Sequence, residues 1–517
     1  MSFTLEALLR GVEGAAISGG LATTRVNEVR DDSRLVRAGD LFVAVPGVKE
    51  DGRRFVADAA ARGAAAIVIE GAALDFAGVV VTVPRARHAL GVIAANRFDA
   101  ASALALYAVT GTNGKTTTTY LVEGMLRAAG RGVGVIGTVD YRTSVADAPP
   151  LVKPAPLTTP GALALHGLFA EMRASGATDV VLEASSHALD QGRLDGCRFR
   201  VGALTNLTQD HLDFHGTMDR YFDAKAILFE RLLEPGRGVA VLPIDKEEGV
   251  RMRARCKGPT LGVSLRGAKG AEVVGGVPVE SADGIRMTFQ TPKGPIDVRS
   301  RLVGDFNHEN LALAVGIGVA ADLPVDAIEA GLADMARVPG RLERVANARG
   351  VLCVVDYAHT PDALERAIAA VKPYARGRLI VVFGCGGDRD KGKRPLMGQA
   401  AGRVADLAIV TSDNPRTEVP EAIIDMIVPG LEASGARSLS ETQVRRWPVG
   451  PAGRGYCRVV DRRAAIDLAT AVAIPGDVLL IAGKGHEDYQ IVGATKTHFD
   501  DREEAAAGFA RAGAWTP

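Results

Sequence analysis

Residues 104–130 read LALYAVTGTNGKTTTTYLVEGMLRAAG, and the order of features in this stretch decides the fold. An apolar run, LALYAVT, ends in a glycine turn, and an amphipathic helical pattern follows it. Strand, glycine loop and helix in that order open an α/β nucleotide domain. Within GTNGKTTT (Gly111–Thr118), successive backbone N–H groups aimed by a helix N-terminus make a cradle for nucleotide phosphates. Lys115 can reach the β- and γ-phosphates, and Thr116 can offer its hydroxyl to Mg²⁺. The loop departs from strict GxxxxGK[ST], because Val109 stands where the first glycine would be. No Asn in the chain precedes a Lys, so the NKxD guanine signature is absent and ATP is the expected nucleotide.

Two further strand ends bring chemistry towards this loop. DVVLEASSH places Glu183 after three apolar residues, where a Mg²⁺-binding carboxylate would sit. TNLTQDHLDFHG gathers Asp210, His211, Asp213 and His215. A zinc site would usually add Cys, which is missing here, whereas His211 as a neighbour of Mg²⁺ fits the spacing.

Around this centre the chain divides into three α/β regions. Before it, Leu41–Gly47, Ala64–Glu70 and Val79–Pro84 read as strands with Ala-rich helical stretches between them. After it come strands at Val133–Thr138, Asp179–Ser186 and Val201–Asn206, then short alternating runs from Arg237 to Arg301 that predict an antiparallel meander. A Pro-Gly turn in VPGRLERV (Val338–Val345) predicts a hinge. Beyond it VLCVVDY, RLIVVFG, LAIVTSD and DVLLIAG alternate with helical segments, the pattern of a Rossmann-like, doubly wound sheet. The glycine turn FGCGGDRDKGKRP (Phe383–Pro395) has Arg389 where GxGxxG needs its last glycine, so its basic loop is expected to contact a carboxylate or phosphate. The expected domains are 1–102, 103–338 and 339–517.

The bulk numbers fit. A chain of 517 residues exceeds one hydrophobic core, and 47% hydrophobic with 24% charged residues is a soluble globular mix. Basic and acidic residues balance at 61 each, which argues against nucleic-acid or membrane-surface partners. There is no signal-peptide pattern and no apolar run long enough to span a membrane. Five scattered cysteines, never CxxC, point to the reducing cytoplasm.

Read together, the fragments resemble the Mur ligase family over essentially the whole chain. GTNGKTTT, the Glu183 strand, NLTQDHLDFHG…YFDAK, GDFNHENLALA, PGRLERV and VDYAHTPDAL occur in the family's order. The branch that adds the third residue of the stem peptide is the closer match, through DSRLVRAGDLFVAVPG, DGRRF, LTTP, SSHALDQGR, GCGGDRDKGKRP, DNPRTE and GKGHEDYQ. The resemblance implies a UDP-binding N-terminal domain, a central ATPase and a mobile C-terminal domain. It implies that ATP activates the side-chain carboxylate of D-glutamate in UDP-N-acetylmuramoyl-L-Ala-D-Glu as an acyl phosphate, which an incoming amine attacks. A monomer is the family's default.

Residue roles are implied position by position. Gly111, Thr112, Asn113, Gly114, Lys115 and Thr116 would hold phosphates, Asn307 the adenine, and Arg341 and Asp356 phosphate and ribose. Thr116, Glu183, His211 and Lys225 would form the Mg²⁺ site, with Lys225 carbamylated to N6-carboxylysine and so turned into an anion. Ser33, Thr158, Thr159, Ser185, Gln191 and Arg193 match the nucleotide-sugar contacts, and Val48–Glu50 occupies the family's variable uracil loop. Leu157 stands where some relatives carry Asn. Arg389, Asp413, Asn414, Pro415, Arg416, Gly483 and Glu487 would read the amino acid. DNPR resembles the diaminopimelate-adding branch, which the lysine-adding counterpart usually departs from at this arginine. A planar guanidinium can grip the carboxylate that meso-diaminopimelate has and lysine lacks. A folylpolyglutamate synthase would share the ATPase core but not this set, and a nucleotide-dependent regulator would need neither Lys225 nor a second substrate loop.

Overall fold

The first strands form because their residues are apolar on both faces. AIVIE and VVVTV are β-branched runs with no alternation, which suits parallel strands covered on each side. In the computed structural model, which describes residues 2–47, 51–146, 148–281, 284–335, 337–446 and 453–514, they are β4 (Ala66–Glu70) and β5 (Val79–Val83). With β1 (Ala16–Ser18), β2 (Val29–Arg30) and β3 (Leu41–Val43) they make a sheet of order β1-β5-β4-β3-β2, packed on helix α1 (Ala86–Phe98). The expected uracil loop, Val48–Glu50, lies outside the described residues.

The chain divides into two compact units, Met1–Val277 with Thr288–Val298 and Glu309–Asp334, and Pro278–Met287 with Arg299–His308 and Met335–Pro517. The first unit therefore holds both the N-terminal and most of the central region. Its large sheet is built on β6 (Ala105–Thr110), which leads through the glycine loop into α2 (Lys115–Ala128). Around β6 stand β7 (Val133–Ile136), β8 (Asp179–Glu183), β9 (Val201–Leu204), β10 (Val239–Pro243) and β11 (Thr260–Ser264). They run parallel in the order β7-β8-β6-β9-β10-β11. Because β8 and β9 flank β6, the chain leaving all three emerges side by side at their carboxyl ends, where α/β proteins bind ligands. Two more helices, α3 (Ala162–Ala174) and α4 (Met218–Ile227), belong to this unit.

The meander expected for Arg237–Arg301 is only partly present. β10 and β11 extend the parallel sheet through the helix Glu247–Arg255, and antiparallel pairing begins where Val273–Gly275 meets Gly284–Thr291. Short apolar runs such as VAVLP and TLGVS carry no mark of direction, and the helix that makes the crossover is strongly charged rather than apolar.

In the second unit β12 (Leu352–Asp356), β13 (Leu379–Phe383), β14 (Leu407–Val410), β15 (Gly455–Arg458) and β16 (Val478–Ala482) run parallel in the order β12-β16-β13-β14-β15. Period-two alternation sends Val478, Leu480 and Ala482 into one core with α5 (Pro361–Val371), α6 (Lys393–Val404) and α7 (Pro420–Ala433). Leu479 and Ile481 enter the opposite core with α8 (Arg462–Val472) and α9 (Asp501–Ala512). This is the doubly wound arrangement expected. A hairpin, β17 (Tyr489–Val492) and β18 (Thr495–His498), follows the sheet. No helix among the described residues is long and apolar enough to cross a membrane.

One ion pair ties α8 to α9. Arg462 donates to Asp501 at 2.7 and 2.6 Å with both side chains fully buried, and also donates to the carbonyls of Ser412 and Ala482. Removing one partner strands a buried charge, so Asp501→Ala is expected to cost about 3–5 kcal/mol. Denaturant titration of the variant checks this, and a loss under about 1 kcal/mol would contradict it.

Candidate active site

The glycine loop is held by the exit of β9. Thr112 N–H donates to Asn206 O (2.9 Å), and Asn113 N–H to Asn206 Oδ1 (3.0 Å). Asn113 O accepts from Thr205 Oγ1 (2.6 Å) and Asn206 Nδ2 (3.2 Å), while Thr112 and Thr208 bond reciprocally. Gly111 has φ +143°, and a Cβ there would lie 1.8 Å from Thr205 Oγ1. At Gly114, φ +86°, a Cβ would lie 2.3 Å from Asn310 Oδ1. Both positions therefore need glycine.

Two lysines share one carbonyl. Lys115 donates to Gly111 O (3.1 Å) and Thr112 O (2.8 Å), and Lys225, from α4, donates to Gly111 O (2.9 Å). Lys225 is 1% exposed, with its ammonium 4.4 Å from the centre of the Tyr221 ring. Burial, and after it the Lys115 charge, hold the Lys225 ammonium well below the ordinary lysine range.

Glu183, at the end of β8, is 1% exposed and fully engaged. Its Oε1 accepts from Thr116 Oγ1 (3.0 Å) and Thr138 N–H (2.9 Å), and its Oε2 accepts from Thr138 Oγ1 (3.0 Å). His211 has φ +53°, places Nε2 3.3 Å from Asp210, and meets the His187 ring edge-on at 4.9 Å. Of the four expected metal-site residues, Thr116 and Glu183 are in direct contact. Among the described residues no group of three or more His, Cys, Asp and Glu gathers as a metal cluster.

Next to Glu183 lies a second cluster. Thr159 Oγ1 donates to Glu183 O (2.6 Å) and accepts from Ser185 N–H (3.1 Å), and Thr158 bonds Thr138 (3.1 Å). Arg193 donates to Thr159 O (2.8 Å) and grips Gln191 Oε1 at 2.7 and 3.1 Å. Burial, and then the nearby Arg87 charge, lower the Arg193 pKa. Thr158, Thr159, Ser185, Gln191 and Arg193 thus converge, whereas Ser33 stands in the turn Ser33–Leu35 of the N-terminal region, bonded to Asp58.

In the second unit, Asp356 ends β12 and accepts from the N–H groups of Leu342 and Ala358, both at 2.8 Å. Arg341 lies over the Tyr357 ring at 4.9 Å, and Asn307 donates to Val303 O (2.7 Å). Beyond β13 and β14 two loops touch: Gly387 N–H donates to Asn414 O (2.9 Å), and a Cβ on Gly387 would lie 1.8 Å from Pro415 O. Arg416 is in the left-handed region (φ +52°), a conformation that costs about 1–3 kcal/mol in a non-glycine residue. The hairpin holds it there, since Arg416 N–H donates to Ile491 O (3.1 Å) and Gly493 N–H to Arg416 O (2.7 Å). The Arg416 guanidinium donates to Gly387 O (2.7 Å). Asn414 donates to Glu487 Oε2 (2.8 Å), and Asp413 lies against Gly483. Arg389 is exposed on the same glycine turn and donates to Asp388 O (3.1 Å). All the residues expected to read the amino acid therefore meet at the carboxyl ends of β13, β14 and β16.

Comparison with known proteins completes the picture. The Mur ligase family catalytic domain matches residues 25–98, the Mur ligase middle domain 109–318, and the glutamate ligase domain 340–485. The chain belongs to the Mur ligase family. It is 47% identical over 513 residues to the UDP-N-acetylmuramoyl-L-alanyl-D-glutamate--2,6-diaminopimelate ligase of Geobacter metallireducens, covering 98% of each chain. The enzyme of the same name from Geobacter sulfurreducens is 46% identical with the same coverage. A solved structure of a UDP-N-acetylmuramoyl-L-alanyl-D-glutamate--2,6-diaminopimelate ligase superposes with a TM-score of 0.70 at 32% identity, covering 99% of both chains.

This Mur ligase has three family domains and is an ATP-dependent ligase. The loop suits a nucleotide phosphate: a cradle closed to any side chain at Gly111 and Gly114, flanked by buried hydroxyls of Thr110 and Thr208 that lack hydrogen-bond partners. Oxygen donors at its end, Thr116 and Glu183, suit a hard cation such as Mg²⁺. Several participants escaped the sequence reading. Thr138 carries no motif, yet makes two bonds to Glu183. Thr205 and Asn206 sit in the quoted strand end TNLTQ, and Tyr221 opens YFDAK, so their place in a motif was the available signal.

Proposed function

We propose that this Mur ligase joins meso-2,6-diaminopimelate to the D-glutamate side-chain carboxylate of UDP-N-acetylmuramoyl-L-Ala-D-Glu, converting ATP to ADP and phosphate through an acyl phosphate, in peptidoglycan precursor synthesis. Arg416 carries the choice of amino acid. Its backbone is held in a strained conformation, and its guanidinium lies on the Gly386–Gly387 turn near the Glu487 carboxylate, which Asp413 also faces. A cation for a distal carboxylate next to anions for an ammonium matches a zwitterionic amino-acid end, and lysine has no such carboxylate.

In this reading residues 1–102 bind UDP, 103–338 form the ATPase domain, and 339–517 take the amino acid. Gly111–Thr116 cradle the phosphates, Asn307 contacts adenine, and Arg341 and Asp356 serve phosphate and ribose. Thr116, Glu183, His211 and Lys225, the last as its carbamate, hold Mg²⁺, which when bound neutralises charge on the transferring phosphoryl group. Lys115 exchanges its loop carbonyls for phosphate oxygens. Ser33, Thr158, Thr159, Ser185, Gln191 and Arg193 hold the UDP-dipeptide. The enzyme works in the cytoplasm as a monomer, without nucleic-acid or membrane partners.

The test is phosphate release with UDP-dipeptide and a panel of amino acids, with the ratio of kcat/KM for meso-diaminopimelate over L-lysine in wild type and Arg416 variants. A charge-assisted contact contributes roughly 1.5–3 kcal/mol, so Arg416→Ala should lower the diaminopimelate value about ten- to a hundredfold. Arg416→Lys recovers only part of it, because an ammonium lacks the fork geometry. Lysine stays a poor substrate in every variant, since losing one grip builds no other site. A wild-type enzyme preferring lysine overturns the reading in favour of the lysine-adding counterpart.

A further inference from the structure

The buried end of GKGHEDYQ holds a side chain that the roles above leave without a task. Lys484 follows Gly483 beyond β16, and its side chain is fully buried. Its ammonium donates to Asn414 Oδ1 (3.2 Å) and lies 3.7 Å from a carboxylate oxygen of Asp413 and 3.7 Å from one of Glu487. Ile491 N–H donates to the same Asn414 oxygen (3.0 Å). With Oδ1 claimed twice, the Asn414 amide has one orientation, which turns Nδ2 to Glu487 Oε2. Asp413 Oδ1 remains buried without a hydrogen-bond partner. A buried acceptor left unsatisfied is costly, and an incoming donor would relieve it. Two carboxylates share one lysine here, because the neighbouring Arg462 is already committed to Asp501.

The geometry points to Lys484 as a positioning residue for the amino-acid substrate: it sets the Asn414 amide and balances Asp413 and Glu487, so that these two carboxylates hold an ammonium group of that substrate. This rests on the reading above that the DNPR and GKGHED loops bind the amino acid.

Electrostatics give the role a signature. Glu487 faces Lys484 and Tyr489 on its own segment, Asp413, Asn414 and Arg416 beyond β14, and Tyr357 beyond β12. Lys484 additionally faces Arg462 on α8 and Asp501 on α9. Burial, and then the Asp413 charge, push the Glu487 carboxyl up, while Lys484, Asn414 and Arg416 pull it down. Without the lysine charge Glu487 keeps its proton to higher pH, and a neutral carboxyl attracts an ammonium weakly. The defect is therefore greatest at low pH and shrinks as pH rises.

The experiment compares Lys484→Gln, which keeps a donor without charge, Lys484→Met, which keeps neither, and Lys484→Arg, from pH 6.5 to 9. Both neutral variants are expected to raise KM for diaminopimelate about tenfold or more at pH 7, with kcat within about threefold and KM for ATP and UDP-dipeptide unchanged. In Lys484→Gln the KM falls back towards wild type as pH rises, whereas Lys484→Met recovers less because its Asn414 is no longer oriented. A folded neutral variant with wild-type KM, or a deficit equal at every pH, overturns the proposal. Should neither neutral variant fold, Lys484→Arg decides: it retains charge but displaces the Asn414 contact, so a folded Arg variant with wild-type KM also overturns it. A wild-type enzyme using only lysine would instead overturn the functional reading, and the same KM series run with lysine would still judge Lys484.

Discussion

Lys115→Ala is expected to abolish phosphate release while leaving the fold intact. The lysine already lies against the loop carbonyls of Gly111 and Thr112, so its loss removes a cation from the phosphate cradle without opening a core. A preorganised group aimed at charge that develops in the transition state is typically worth a hundred- to a thousandfold in rate, so turnover should fall by at least about that much. A second consequence follows from the shared carbonyl of Gly111. After burial, the Lys115 charge is what holds the Lys225 ammonium down, so removing it moves the Lys225 pKa part of the way back towards the ordinary range. Phosphate release dependent on UDP-dipeptide and amino acid, with circular dichroism and a thermal melt, makes the measurement. Turnover within a few-fold of wild type would remove the loop from ATP chemistry.

Lys225→Ala should be nearly inactive, and for a different reason. Carbamylation needs the neutral amine, which attacks CO₂ and releases a proton to leave an anionic carbamate. A solvated lysine is almost wholly protonated at neutral pH. Burial at 1% exposure and the proximity of Lys115 favour the neutral form, so Lys225 is reactive at lower pH than an exposed lysine. Short carboxylic acids should partly restore the alanine variant by supplying the missing anion. Lys225→Arg should not, because it keeps a positive charge beside Lys115. Assays with and without bicarbonate, across the three proteins, give the comparison. An arginine variant at full activity would show that no anion is needed at this position.

Much of this protein could be read from its residues in order. Strand, glycine loop and helix at 104–130 are adjacent in the chain, so local pattern alone announces the phosphate cradle. The doubly wound second unit was equally legible, because each of its buried strands is a continuous apolar run set off by helical stretches. Motifs carried the rest of the site: DNPR and GKGHED lie 67 residues apart, counted from Arg416 to Gly483, with α7 and α8 between them, yet each is visible as a loop after a strand.

What no local pattern contains is partnership. Strand direction in 237–301 was misread because hydrophobic alternation carries no sign for parallel or antiparallel, and the sign is settled by which neighbour offers its hydrogen bonds. Thr138 belongs to no motif and enters the site only because β7 and β8 are paired, which carries its hydroxyl to Glu183. The meeting of Lys115 and Lys225 on one carbonyl, 114 residues apart for Gly111 and Lys225, is set by α4 returning to β6. Lys484 reads from sequence as one more loop lysine; burial between Asp413 and Glu487 is what gives it a task. Residue types and short spacings thus state which chemistries are available, while burial, pairing and charge neighbours arise from contacts distant in sequence and decide which are used.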